Sequence, residues 1–180
     1  WLPSGHGTLD VAGAITNSCN PYFYEAGLQL HLQDPNLLYQ YATRLGLGGT
    51  TGMTDLVETP GYIGNEALIQ QITGYPMTSV DSVSMAIGQG HVNLSPLQMV
   101  RYYAAVANGG TLYRPQIVES TRLIDDVSYQ MEPEITGTFG VSEEIMATVH
   151  RGMCDVTTTA TGTAEFVFRN SEIQTLGVCG

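Results

Sequence analysis

At Asn20-Pro21, Asp34-Pro35 and Ser95-Pro96 the chain sets a polar capping residue directly before proline. A short polar side chain accepts a hydrogen bond from an otherwise unpaired amide at a helix start. Proline in the first turn gives up no hydrogen bond there, so each pair predicts a helix beginning at that point. After Asn20-Pro21 come Tyr22, Phe23, Tyr24 and Ala26, running toward Leu32. After Asp34-Pro35, the residues Leu37, Leu38, Tyr41, Ala42 and Leu45 make a one-sided stripe that Gly46 ends. Ser95-Pro96-Leu97-Gln98 adds a glutamine three residues past the cap, the capping-box arrangement. Leu97, Val100, Ala104 and Ala107 then share a face until Asn108-Gly109-Gly110.

Weaker signals fill in the rest. Thr8 or Asp10 can cap a short helix through Ala14 and Ile15 to Asn17, and a second short helix is expected from Asn65 to Ile72. Val141 and Met146 can staple around Ser142 to open a helix with Ile145, Val149 and Met153 inward. Residues 46–65 read as a Gly/Thr-rich loop bounded by Pro60-Gly61, and residues 157–164 as a second loop. Residues 111–124 read as strand or extended chain, with an alternation through Leu112, Ile117 and Val118 that Pro115 breaks; an apolar strand start follows at 176–180. No repeat or linker divides the chain, so residues 1–180 are expected to form one mainly helical unit with a few strands.

Charged residues are only 13% of the 180, about half the usual share, against 43% hydrophobic. This sparse polar surface fits either a face covered by further chain or an extracellular protein. All six basic residues are arginine, and with 17 acids the net charge is −11. Such a surface repels phosphate, which argues against nucleic-acid partners and against docking on an anionic membrane leaflet. Cys19, Cys154 and Cys179 are odd in number and widely spaced, neither a disulfide framework nor a zinc pattern, and are read as small buried residues with free thiols. His6, His31, His91 and His150 have no metal-site spacing, so no metal or cofactor is expected.

Ser18-Cys19-Asn20 falls in the break between two expected helices, where a hydroxyl and an amide can both project. Taken alone, the triplet is also satisfied by a turn serine and a helix-capping asparagine. Its surroundings extend the pattern. Gly5-His6-Gly7, Leu9-Asp10 and Ala14-Ile15 lead into Ser18-Cys19-Asn20-Pro21-Tyr22-Phe23-Tyr24; Leu45-Gly46-Leu47-Gly48, Thr51-Gly52 and Pro60-Gly61 follow. Then come Ile87-Gly88-Gln89-Gly90, Asn93-Leu94-Ser95-Pro96-Leu97-Gln98-Met99, Tyr103-Ala104-Ala105 and Ala107-Asn108-Gly109-Gly110. In this order the blocks resemble the transpeptidase domain of class B penicillin-binding proteins over nearly the whole chain.

The resemblance implies an α+β fold of the β-lactamase/transpeptidase-like type, in which an antiparallel sheet is flanked by helices. This chain would be mainly its helical portion with a few antiparallel strands: a partial transpeptidase domain. It also implies D,D-transpeptidation of peptidoglycan stem peptides through an acyl-serine, and β-lactam binding. In that chemistry a serine of an S-x-x-K motif attacks, a K-T-G strand holds the substrate carboxylate, and an S-x-N motif completes the site. Only the last carries over. Ser18 takes the proton-shuttling position and Asn20 the catalytic and substrate-contacting one. With no lysine in the chain, neither other motif can be present, and the chain is expected to lie between them and to be inactive alone. Thr161-Gly162-Thr163-Ala164 is read as a loop and not as a substitute third motif.

The implied partners are D-Ala-D-Ala stem peptides, β-lactams and cell-wall synthesis proteins, with self-association through an exposed sheet edge. The implied location is the extracytoplasmic face of the bacterial membrane, with an anchor upstream. Alternatives are a non-catalytic pseudo-transpeptidase scaffold, a β-lactam-sensing module, and a β-lactamase relative.

Overall fold

The computed structural model describes residues 5–122, 128–172 and 179. Among these, eight helices alternate with six short strands, an α+β arrangement. The strands form three separate antiparallel ribbons: β1 (Tyr62–Ile63) with β2 (Val92–Asn93), β3 (Thr111–Tyr113) with β6 (Ile135–Thr138), and β4 (Ser120–Arg122) with β5 (Ser128–Gln130). Part of the strand expected at 111–124, and nearly all of that at 176–180, lies outside the described residues.

Capping places most helix starts. Asp10 accepts from the Gly13 amide at 2.7 Å and opens α1 (Val11–Thr16). Asn65 accepts from Leu68 at 2.9 Å and opens α4 (Glu66–Thr73). Ser95 and Ser142 do the same for α6 (Pro96–Ala107) and α7 (Glu143–Thr158). Such a cap contributes about 1 kcal/mol. A capping box at Thr78 and Asp81 opens α5 (Ser79–Met85), a helix the sequence reading did not include.

Two of the cap–proline pairs act differently from expectation. Asp34 accepts from the Asn36 amide and from Gln40, forming a turn ahead of α3 (Leu37–Arg44) rather than capping it. Asn20 is the first residue of α2 (Asn20–Gln33), and the cap position falls to Cys19. The capping box expected at Ser95 is only half formed. The Gln98 amide turns away from the helix start and donates to the Gly49 carbonyl, where the side chain is almost fully buried. That bond pins the glycine-rich loop and offsets part of the burial cost, while the Gln98 Oε1 is buried with no partner among the described residues. Glu58 holds that loop from within, accepting from the Thr51 amide at 2.7 Å and hydroxyl at 2.8 Å. Asp55 ties it to the Ile117 and Val118 amides.

Apolar burial divides into two clusters. Ile63, Ile69, Met77 and Met85 pack with side chains of α3, while Ala105, Val106, Leu112, Phe139 and Met146 pack with Val149 and Met153 of α7. Burying a side chain such as Ile69 contributes about 1.5–3 kcal/mol. The face expected to bury α6 is the wrong one: Val100 is 67% exposed, and Gln98, Ala105 and Val106 are buried instead. Both stripes hold alanines, which fit either environment, so periodicity could not choose between them. Ile145, expected inward, is 54% exposed, and Ile117 and Val118 are exposed as well. Ile117 and Val118 lie between β3 and β4, outside either strand, so no sheet face buries them.

Cys154 is disulfide-bonded to Cys179, which corrects the reading of all three cysteines as free thiols; Cys19 alone is free, and it is buried. Among the described residues no helix is long and apolar enough to cross a membrane.

Candidate functional site

The connector between α1 and α2 is set by how α1 ends. The Ser18 amide donates to the Ile15 carbonyl at 3.0 Å, and the Cys19 amide to the Ala14 carbonyl at 2.9 Å. This pair of bonds is a Schellman motif, and it requires a left-handed residue just past the helix cap, normally glycine. Here that residue is Ser18, at φ 49°, the one non-glycine residue with positive φ among those described. A side chain in this conformation costs about 1–2 kcal/mol. The turn therefore carries a strained hydroxyl where an unstrained glycine would close the helix equally well.

Cys19 turns inward and is buried, so Ser18 and Asn20 on either side of it are exposed. Asn20 makes no capping bond, because Cys19 occupies the cap and its carbonyl receives the amides of Tyr22 and Phe23. Among the described residues its carboxamide has no hydrogen-bond partner, and it offers two donors and one acceptor oxygen. Ser18 and Asn20 line one groove of about 840 Å³ together with Gly5, His6, Gly7, Asn17 and Tyr24. His6 and Tyr24 both belong to this groove; residue spacing carried no signal for either.

The hydroxyl of Ser18 has a partner 145 positions away. Its Oγ lies 3.1 Å from Thr163 Oγ1, in the loop that follows α7. Packing of α1 on α7 brings the two together. Gly152 lets the helices touch, since a Cβ there would sit 2.9 Å from the Ala12 carbonyl oxygen. Thr16 then donates its hydroxyl to the carbonyls of Ala12 (2.9 Å) and Gly152 (3.2 Å). The loop folds back on α7 through Gly162, where an added Cβ would collide with the Asp155 and Val156 carbonyl oxygens, and through the Ala164 amide donating to the Val156 carbonyl. Finally the Thr163 amide donates to the Thr16 carbonyl at 3.3 Å. The segment set aside as a plain loop is thus a loop in form, and one wall of the serine's environment.

A serine hydroxyl and a free carboxamide in one groove can relay a proton and hold an amide-bearing ligand. They do not make a nucleophilic centre by themselves, since an attacking hydroxyl needs a base within hydrogen-bond reach. Glu165, just past Thr163, is lowered by its bonds from Arg169, and the other carboxylates whose proton affinity the fold alters stand elsewhere. The amides of Ile117 and Val118 lower the Asp55 carboxyl. Burial pushes Glu58 up, but the bonds from Thr51, Met53 and Gly52 outweigh it and hold the carboxyl low. Asp81 follows the same pattern: burial raises it, and Thr78 and then His91 lower it further. These groups organise a loop and a helix start.

A second cavity of about 610 Å³ between α6 and α7 is mostly apolar, with His150 committed to the Val106 carbonyl at 2.6 Å. It offers neither a nucleophile nor a relay. Among the described residues, no three His, Cys, Asp or Glu side chains gather as a metal site would require.

Residues 2–177 match the family described as the penicillin binding protein transpeptidase domain. Peptidoglycan D,D-transpeptidase MrdA of Haemophilus influenzae is 26% identical over 183 residues, which is 100% of this chain and 27% of that protein. Stage V sporulation protein D of Bacillus subtilis is 31% identical over 173 residues, covering 93% of this chain and 24% of its own. The solved complex between penicillin-binding protein PBP2 and MreC from Helicobacter pylori superposes with a TM-score of 0.77 at 26% identity, over 96% of this chain and 30% of that one. This chain therefore spans about a quarter of the length of these curated relatives. The ordered sequence blocks, the helical architecture and the match across residues 2–177 lead to one conclusion: the chain belongs to the transpeptidase domain family of class B penicillin-binding proteins.

Proposed function

We propose that the chain is the part of a transpeptidase domain lying between its S-x-x-K and K-T-G motifs, and that the whole protein cross-links peptidoglycan stem peptides through an acyl-serine. In this reading Ser18 passes a proton to the leaving amine as the D-Ala-D-Ala bond breaks, and Asn20 binds the peptide backbone of the donor strand. β-Lactams, as acylating analogues of that peptide, occupy the same groove. The observation that carries the reading is the Ser18 turn itself. A strained left-handed serine stands where glycine would serve the fold, beside an asparagine released from capping. Strain kept at such a position is a pointer to function. The relatives' names, peptidoglycan D,D-transpeptidase and a sporulation protein, support the substrate class. The whole protein in this reading works at the extracytoplasmic face of the membrane, where its peptidoglycan substrate lies.

The absence of lysine from the chain favours one competing reading, a pseudo-transpeptidase scaffold. Fluorescent penicillin separates the two. The natural gene, extended on both sides of these residues, should yield a protein that takes a covalent, boil-resistant label. Ser18→Ala should cut the acylation rate by about 10²-fold or more, the scale of a lost proton-transfer group, and Asn20→Ala should slow acylation through weakened substrate binding. The isolated 180-residue chain should take no label. A labelled isolated chain, or an unlabelled extended protein, overturns the proposal.

A further inference from the structure

We infer that Thr163 is a positioning residue for the proton relay: its hydroxyl holds the Ser18 hydroxyl in the rotamer that aims the Ser18 proton into the groove. The inference rests on the reading of Ser18 as the relay and adds a second residue to it.

Three observations carry it. Ser18 Oγ and Thr163 Oγ1 are 3.1 Å apart, and among the described residues the Thr163 hydroxyl has no other partner. The contact is also placed by the backbone rather than by chance meeting of two loose side chains. The Thr163 amide is anchored on the Thr16 carbonyl, two residues before Ser18, and the loop behind it is clamped on α7 at Gly162 and Ala164. Finally, Ser18 is exposed and sits in a strained turn, so its hydroxyl has no buried neighbours to select a rotamer.

A serine hydroxyl has one proton and two lone pairs. If Thr163 donates to Ser18 Oγ, one lone pair is engaged and the serine proton is left to point at the groove, where the leaving nitrogen must acquire a proton. As the carbonyl–nitrogen bond breaks, the Ser18 proton moves to nitrogen, and the oxygen it leaves keeps the Thr163 bond until a proton from the remainder of the site refills it. Thr163 keeps its own proton throughout. The geometry therefore predicts an effect specific to leaving groups that need protonation.

The test is made in the extended transpeptidase protein, with two D-alanyl substrates: a peptide, which departs as an amine, and a thioester, which departs as a thiolate and needs no proton. Thr163→Val should slow acylation by the peptide about five- to tenfold, the weight of one neutral hydrogen bond. It should leave the thioester rate within about twofold of the parent. Thr163→Ser should restore the peptide rate, and Thr163→Val should add nothing in a Ser18→Ala background. Thr163 is exposed, so the valine variant is expected to fold; Thr163→Ala carries the same test if it does not. Equal slowing of both substrates, failure of serine to rescue, or an undiminished effect without Ser18 overturns the inference. If Ser18→Ala slows the peptide and Thr163→Val does not, only the Thr163 role falls. If Ser18→Ala itself leaves the peptide rate intact, the relay reading falls and this inference with it.

Discussion

Replacing Ser18 by glycine should leave the chain about as stable as the parent, and more stable than replacement by alanine, while removing its hydroxyl. Ser18 is held at φ 49°, and a side chain there costs about 1–2 kcal/mol. Glycine removes that cost but loses more conformational entropy on folding, which returns roughly 0.5–1 kcal/mol. The variant also forfeits the bond to Thr163, which is exposed and belongs at the low end of the ~0.5–1.5 kcal/mol range for neutral hydrogen bonds. Ser18→Ala is the informative comparison, because it loses the same bond and keeps the strained backbone. Ser18→Gly should therefore exceed Ser18→Ala by about 1 kcal/mol. For a chain of this size that is a Tm difference of about 2–4 °C. Thermal unfolding followed by circular dichroism on the 180-residue chain measures it, with urea titration as the second assay; an unchanged m-value would confirm that only native stability moved. In the extended protein both variants should lose the relay alike. An alanine variant as stable as the glycine variant would refute the argument, because the serine would then be under no backbone strain.

Three further outcomes follow from the packing and the charges. Gly152→Ala places a methyl group against the backbone of α1, so overpacking of about 1–3 kcal/mol should exceed the ~1 kcal/mol gained in helix propensity; a raised Tm would show that the helices part freely. Gln98→Ala leaves the Gly49 carbonyl without its donor and should cost about 1–3 kcal/mol, read by urea unfolding, with faster thermolysin cleavage at exposed Leu56 and Val57. Asp55 and Glu58 bind protons less readily folded than unfolded. Their stabilisation is therefore present above the ordinary carboxylate range of about pH 4 and lost as pH falls through and below it. Melting curves between pH 7 and pH 3 (roughly the span of that titration) should show the decline, and it should be shallower in the Asp55→Asn, Glu58→Gln double variant.

Helix starts were legible in the residues because a cap is decided within four positions. Asp10, Asn65, Ser95 and Ser142 each bond an amide three residues on, and no distant part of the chain is needed to make that happen. The same locality explains the partial failures at Asn20 and Gln98. Both were assigned to the nearest backbone, and a stronger claim came from elsewhere: the Schellman turn moved the cap to Cys19, and the loop carbonyl of Gly49 took the glutamine.

By itself, then, the sequence determined the family, most of the helix starts, and the place of a hydroxyl and an amide at one helix break. Tertiary structure decided which face of α6 is buried, which cysteines join, and what stands against Ser18. Those outcomes turn on contacts between segments far apart along the chain, such as Gly152 on Ala12 and Thr163 on Ser18. No local periodicity encodes them, because the free energy that selects them is gained only once the helices have met.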